Sequence, residues 1–179
     1  MVAGKEIILG VCGGIAAYKV PELVRVLKTD NAQVTCILTA NAARFVTPLT
    51  LRTLSANRVY EDMFDPFVWE VEHVSIAQKA ALIVIIPATA DTMARLAQGR
   101  ADDLLGGVVL AASCPVLLCP AMNDRMWQHP ATQRNIRQLT DYGYLIVPPE
   151  TGELACGTVG TGRLASLDAI RSAIHNVFV

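Results

Sequence analysis

Charge is scarce in this sequence, at 17% of residues, and aromatic rings are scarcer still at 6%. Lysine and arginine number 15 against 16 acidic residues, with no basic block and no acidic tail, so the chain carries no electrostatic footprint for nucleic acid or an anionic membrane surface. No apolar run approaches the roughly 20 residues that cross a bilayer. The longest, residues 80–86, suits a buried strand, and no charged-then-apolar leader opens the chain, so the expected location is cytoplasmic. The cysteines, Cys12, Cys36, Cys114, Cys119 and Cys156, are odd in number and lack Cys-x-x-Cys spacing, which predicts reduced thiols and no structural metal. Internal repeats, low-complexity tracts and linkers are also missing.

Apolar residues are what the sequence has in quantity, 53% of 179. That length suits one domain, 1–179, with a single substantial core. An apolar surplus of this size predicts that further copies cover part of the surface, giving a homo-oligomer.

Short, often β-branched runs at 6–11, 33–38, 82–86, 116–119 and 144–147 read as buried strands. They are separated by helical patterns at 16–28, 89–98, 130–142 and 166–177. The alternation predicts an α/β domain built on a single doubly wound parallel sheet, Rossmann-like or flavodoxin-like, with helices on both faces. Right-handed crossovers then bring the loops after each strand to one edge, where such sheets bind ligands. The least regular stretch, 59–72, holds Tyr60, Phe64, Phe67 and Trp69 and reads as a local aromatic cluster, a flap or a contact surface.

Several motifs sit at strand ends. Gly13-Gly14-Ile15-Ala16 follows the first strand and leads into a helix, a geometry that aims backbone N–H groups at a phosphate or simply makes a tight turn. Its spacing fits neither the dinucleotide fingerprint nor the nucleotide phosphate loop, which favours a mononucleotide phosphate. Thr39, the small residues after it and Phe45 follow the second strand. Thr89, Ala90, Asp91 and Thr92 follow the most apolar strand, where Thr89 or Asp91 can cap the next helix and small side chains can admit a flat ring.

Three further residues carry chemistry. His73 opens a helical pattern behind Glu70 and Glu72, which would raise its basicity if near, although a histidine there also suits a surface or cap position. His129 and His175 fall outside any expected site. In Pro120-Ala121-Met122-Asn123 the Asn123 amide can hold a carboxylate or cap a helix, and Met122 and Met126 would ordinarily be core. Cys156 heads a glycine-rich loop ending in Arg163, a setting that presents a thiol and places a cation near an anion or thiolate.

In this order, Gly13-Gly14-Ile15-Ala16-Ala17-Tyr18-Lys19, His73, Pro87-Ala88-Thr89-Ala90, Pro120-Ala121-Met122-Asn123 with Met126, and Ala155-Cys156-Gly157 with Gly160, Gly162 and Arg163 resemble the homo-oligomeric flavin-containing cysteine decarboxylases over nearly the whole chain. Within that family the likeness is greatest to the branch acting on phosphopantothenoylcysteine, in the form carried as the first half of a bifunctional bacterial protein. The resemblance implies FMN, its phosphate on Gly13, Gly14, Ile15 and Ala16, and its ring and ribityl chain against Thr39, Phe45, Thr89, Ala90, Asp91, Thr92 and Ala121. Many members carry asparagine at the position of Asp91. It also implies trimers, or dodecamers built from them, with flavin sites between subunits.

A cysteine carboxylate does not readily leave as carbon dioxide, because the resulting carbanion has no electron sink. By resemblance, oxidation of the carbon bearing sulfur gives a thioaldehyde, decarboxylation an ene-thiolate, and a final reduction the product. The same resemblance assigns the last proton to Cys156, a basic or orienting role to His73, and substrate binding to Asn123, Met126 and Arg163. Rival readings within this fold are a flavin prenyltransferase, which leaves the Cys156 loop unexplained, a peptidyl-cysteine decarboxylase, and a regulatory subunit whose flavin is structural.

Overall fold

A computed structural model describes residues 1–64, 72–155 and 157–179. Six parallel strands form the central sheet: β1 (Glu6–Val11), β2 (Gln33–Leu38), β3 (Val59–Tyr60), β4 (Leu82–Ala88), β5 (Val116–Pro120) and β6 (Leu145–Ile146). Their order is β3-β2-β1-β4-β5-β6, the Rossmann arrangement. Without the two-residue edge strand β3, the remaining five follow the flavodoxin-like order.

Alternate residues of each strand feed two separate cores, as the pleat requires. Ile7, Leu9 and Val11 of β1 and Leu82, Val84 and Ile86 of β4 face one way. There they meet helices α1 (Val20–Thr29), α2 (Pro48–Ser55) and α8 (Leu167–Asn176) through Leu23, Leu27, Leu51, Ile170 and Ile174. Ile8 of β1 and Ile83 and Ile85 of β4 face the other way. They pack on α3 (Glu72–Lys79), α4 (Ala90–Ala97), α5 (Leu104–Ala111) and α7 (Pro130–Asp141). All of β4 is buried, which explains its unbroken apolar sequence. Each such aliphatic side chain contributes about 1.5–3 kcal/mol on burial.

Besides helices α2 and α5, which no expected segment covers, the structure departs from the sequence expectation in three places. The segment at 16–28 begins as a 3-10 turn (Ile15–Lys19) before α1. Val59–Tyr60 joins the sheet, although it opens the stretch expected to be irregular; Phe67, Trp69 and Glu70 lie outside the described residues. The third departure is a second, antiparallel sheet of two strands, β7 (Glu150–Glu153) and β8 (Val159–Arg163), where the sequence suggested a glycine loop. A short helix α6 (Asp124–Gln128) precedes α7.

Asp30, which closes α1, ties the last helix to the first. Its carboxylate is 9% exposed and accepts hydrogen bonds from Arg171, with Nε at 2.8 Å, while His175 Nε2 lies at 2.9 Å. The bond from Arg171, with His175 adding to it, outweighs burial and holds the Asp30 carboxyl below its ordinary range. Asp30→Asn should therefore cost about 1–2 kcal/mol at pH 7. A carboxyl depressed in the folded state contributes fully above its unfolded value near pH 4, and that contribution is lost as pH falls through the folded value. Urea unfolding should show a gap between the two proteins at pH 7 that begins to narrow below about pH 4 and closes as pH falls through the folded value; a gap that never narrows as acid is added would contradict the assignment.

Candidate active site

The strand order changes direction between β1 and β4, and a cleft of about 1120 Å³ opens outside the carboxyl ends of the strands there. Four strand ends contribute. Gly13, Gly14, Ile15 and Ala16 come from β1; Thr39 and Asn41 from β2; Thr89, Ala90, Asp91 and Thr92 from β4; Ala121, Met122 and Asn123 from β5. Met126 of α6 and Glu153, Leu154, Ala155 and Arg163 of the hairpin complete the wall. Backbone bonding continues past the strand ends, with Thr39 N–H donating to the Val11 carbonyl at 3.0 Å and Ala121 N–H to that of Ala88 at 3.2 Å, the latter after a register shift between Ile85 and Ala88.

Close backbone approach explains the first glycine. A Cβ on Gly13 would collide with the Asn41 side chain, so only glycine lets the β1 and β2 loops meet. Capping accounts for two other residues. Thr89 Oγ1 accepts from Thr92 N–H at 3.2 Å at the head of α4. Asn123 Oδ1 accepts from Arg125 N–H at 2.9 Å at the head of α6. Both therefore cap and line the cleft together; in Asn123 the bond pins the carboxamide with its oxygen on the helix. Under this wall, burial pushes the Cys12 thiol up to about 11, partly offset by hydrogen bonds from Thr92 and Thr89.

The hairpin is held on the β5–α6 loop. Met122 N–H donates to the Gly162 carbonyl at 2.9 Å, and a Cβ on Gly162 would run into the Met122 carbonyl oxygen. Gly160 also approaches closely, and a Cβ there would meet the Asp124 side chain at 2.7 Å. Both glycines allow close packing of the hairpin on that loop. In the turn, Gly157 has φ +80° and donates to the Leu154 carbonyl at 2.9 Å. Ala155 and Arg163 on either side line the cleft, whereas Cys156 lies outside the described residues.

Two expected site residues are not in this chain's cleft. Phe45 ends the turn after β2 and is 46% exposed. His73, near the start of α3, lies against Gly107 of α5, its Cβ 3.2 Å from a Cβ built there. Conversely, sequence reasoning passed over Arg95, Arg100, Asp102 and Asp103, which form one wall. Arg95 donates to Asp91 and Asp102 at 3.2 Å each and to Asp103 at 2.7 Å. That bond from Arg95 holds the Asp102 carboxyl below its ordinary range. The Asp91–Arg95 spacing of four was the available signal.

The chain is 43% identical over 176 residues to the coenzyme A biosynthesis bifunctional protein CoaBC of Haemophilus influenzae, covering 98% of this chain and 44% of that protein. It is 45% identical over 163 residues to CoaBC of Escherichia coli, covering 90% of this chain and 40% of that one. The chain thus spans less than half the length of these curated relatives. Among solved structures, a PPC decarboxylase mutant complexed with pantothenoylaminoethenethiol superposes with TM-score 0.88 at 28% identity, with 98% of each chain covered. The FMN-dependent cysteine decarboxylase SpaF superposes with TM-score 0.86 at 34% identity over 100% of both chains. The flavoprotein family matches residues 1–179, and the chain belongs to that family.

Proposed function

We propose that this chain is a cytoplasmic, FMN-dependent decarboxylase that converts phosphopantothenoylcysteine to phosphopantetheine. The observation that carries the reading is the switch-point cleft itself, closed by a hairpin whose Arg163 side joins the Asn123 loop. Its volume, about 1120 Å³, is at the upper end for small-molecule sites, enough for a cofactor and a second ligand.

The residues present fit FMN. The glycine turn at 13–16 offers backbone N–H groups for the phosphate, and Ala90 and Ala121 leave flat space between polar Thr39, Asn41 and Thr92. The carboxylate of Asp91, within that segment, is paired with Arg95. FMN, when bound, supplies a two-electron acceptor and donor. The chain's own residues do the rest. Asn123, oriented by its cap, holds the substrate carboxylate; Arg163 supplies a compensating cation; Met126 packs on the rim; and Cys156 delivers a proton to the ene-thiolate.

His73 and Phe45 act across a subunit boundary, on the cleft of a neighbour, in a homotrimer or a dodecamer of trimers. Support comes from their position outside this chain's cleft and from exposed Ile15, Tyr18 and Leu49, 58%, 61% and 62% accessible. The ene-thiol bound to the PPC decarboxylase mutant is the species left after carbon dioxide loss and before reduction, which supports the same chemistry in that relative.

The test is direct. The purified protein should bind FMN with quenched fluorescence, release carbon dioxide from phosphopantothenoylcysteine and form phosphopantetheine. Protein that stays colourless after FMN is added sinks the proposal, and preference for a peptide ending in cysteine would redirect it to peptidyl-cysteine decarboxylation.

A further inference from the structure

Every anion that the proposed reaction requires must approach a cleft whose lining includes Asp91, Asp102, Asp103 and Glu153. Three of these four carboxylates converge on one guanidinium. Arg95 is 15% exposed; Asp91 is 80% exposed on the solvent side, Asp102 51% and Asp103 31%. The same contacts join two helices. Asp91 sits in the first turn of α4, while Asp103 caps α5, its second oxygen accepting from Gly106 N–H at 2.8 Å. Arg100 clamps Asp102 from outside at 2.7 Å. Thr92, beside Asp91, hydrogen-bonds the buried Cys12.

We propose that Arg95 is a positioning residue for flavin binding, fixing Asp91 in the cleft wall, locking the head of α4 to the head of α5, and masking three carboxylates from anionic ligands. This rests on the FMN reading above. A methionine at position 95 keeps much of the side-chain volume but strands the carboxylates around a neutral group. They then repel one another and any ligand phosphate. Lysine keeps the charge but not the planar fork that reaches several carboxylates at once.

The experiment measures FMN affinity by fluorescence quenching, and the potential of bound flavin, in wild type, Arg95→Met, Arg95→Lys and Arg95→Met with Asp91→Asn. Arg95→Met should weaken FMN about tenfold or more, as expected for losing charge-assisted bonds, with part of the loss recovered at high salt by screening. Arg95→Lys should fall between wild type and Arg95→Met, and provides the comparison if the methionine variant does not fold. The bound flavin should become harder to reduce when Arg95 is lost, because uncompensated negative charge disfavours added electrons. Adding Asp91→Asn to Arg95→Met should restore affinity, since it removes a stranded charge. A purely structural role would make the double variant no better than the single one and leave salt dependence and potential unmoved; that result overturns the proposal. Wild-type protein without FMN affinity would instead overturn the FMN reading, whereas normal wild-type binding with an unaffected Arg95→Met protein rejects the Arg95 role alone.

Discussion

The Cys156→Ser protein should release carbon dioxide from phosphopantothenoylcysteine in a single turnover yet form no phosphopantetheine. A serine hydroxyl is a far weaker acid than a thiol, so it fails at the last proton transfer while leaving oxidation and decarboxylation untouched. Losing a positioned acid removes about two to four powers of ten in rate. None of the other cysteines can replace it. Burial pushes Cys12 up to about 11 and Cys36 up to about 12, and drives Cys119 upward as well. Cys114, partly buried in the bend before β5, is also raised by desolvation. Cys12 is the most pertinent control, because it lies behind the wall formed by Thr89 and Thr92. Its replacement by alanine should leave phosphopantetheine formation in place. Mass spectrometry of the quenched mixture decides: accumulated ene-thiol with stoichiometric carbon dioxide supports the role of Cys156, and full product formation by Cys156→Ser removes it.

What the sequence discloses follows from how local each signal is. Residues 6–11, 33–38 and 82–86 are legible because a strand buried on both faces must be apolar at every position, and nothing distant is needed to see it. Residues 104–111 are not. Two glycines and two valines in an all-apolar octet are poor helix material, and α5 exists because Asp103 caps it and residues 104–109 are buried. The β8 hairpin is hidden for the opposite reason. Its glycines have low strand propensity, and pairing with β7 and contact with Met122 and Asp124 impose the extended form.

The site shows the same division. Gly13 through Ala16, Thr89 through Thr92 and Ala121 through Asn123 follow legible strands, so topology alone carries them to one edge. Arg95 reaches Asp102 and Asp103 only because the chain reverses after α4 at Gly99, φ +67°, a turn that no spacing rule anticipates. His73 is visible as a helix opener, but its placement against Gly107 depends on how α3 meets α5.

Gly162→Ala tests a contact that fastens the hairpin to the β5–α6 loop. The added Cβ must occupy the space of the Met122 carbonyl oxygen, so the hairpin moves away or the Met122–Gly162 hydrogen bond breaks. Either response separates Arg163 from the Asn123 loop, two of the groups assigned to the substrate. Displacement of about 1 Å is enough to cost roughly a hundredfold in rate when orientation carries the catalysis, so kcat/KM should fall by about that factor. FMN affinity should change little by comparison. The turn at 13–16 and the segment at 89–92 are anchored on β1 and β4 rather than on the hairpin. A parallel loss of FMN affinity would show that the hairpin holds cofactor as well as substrate. Unchanged kcat/KM in a folded Gly162→Ala protein would mean that the sheet edge alone organises the substrate and that the hairpin is a bystander.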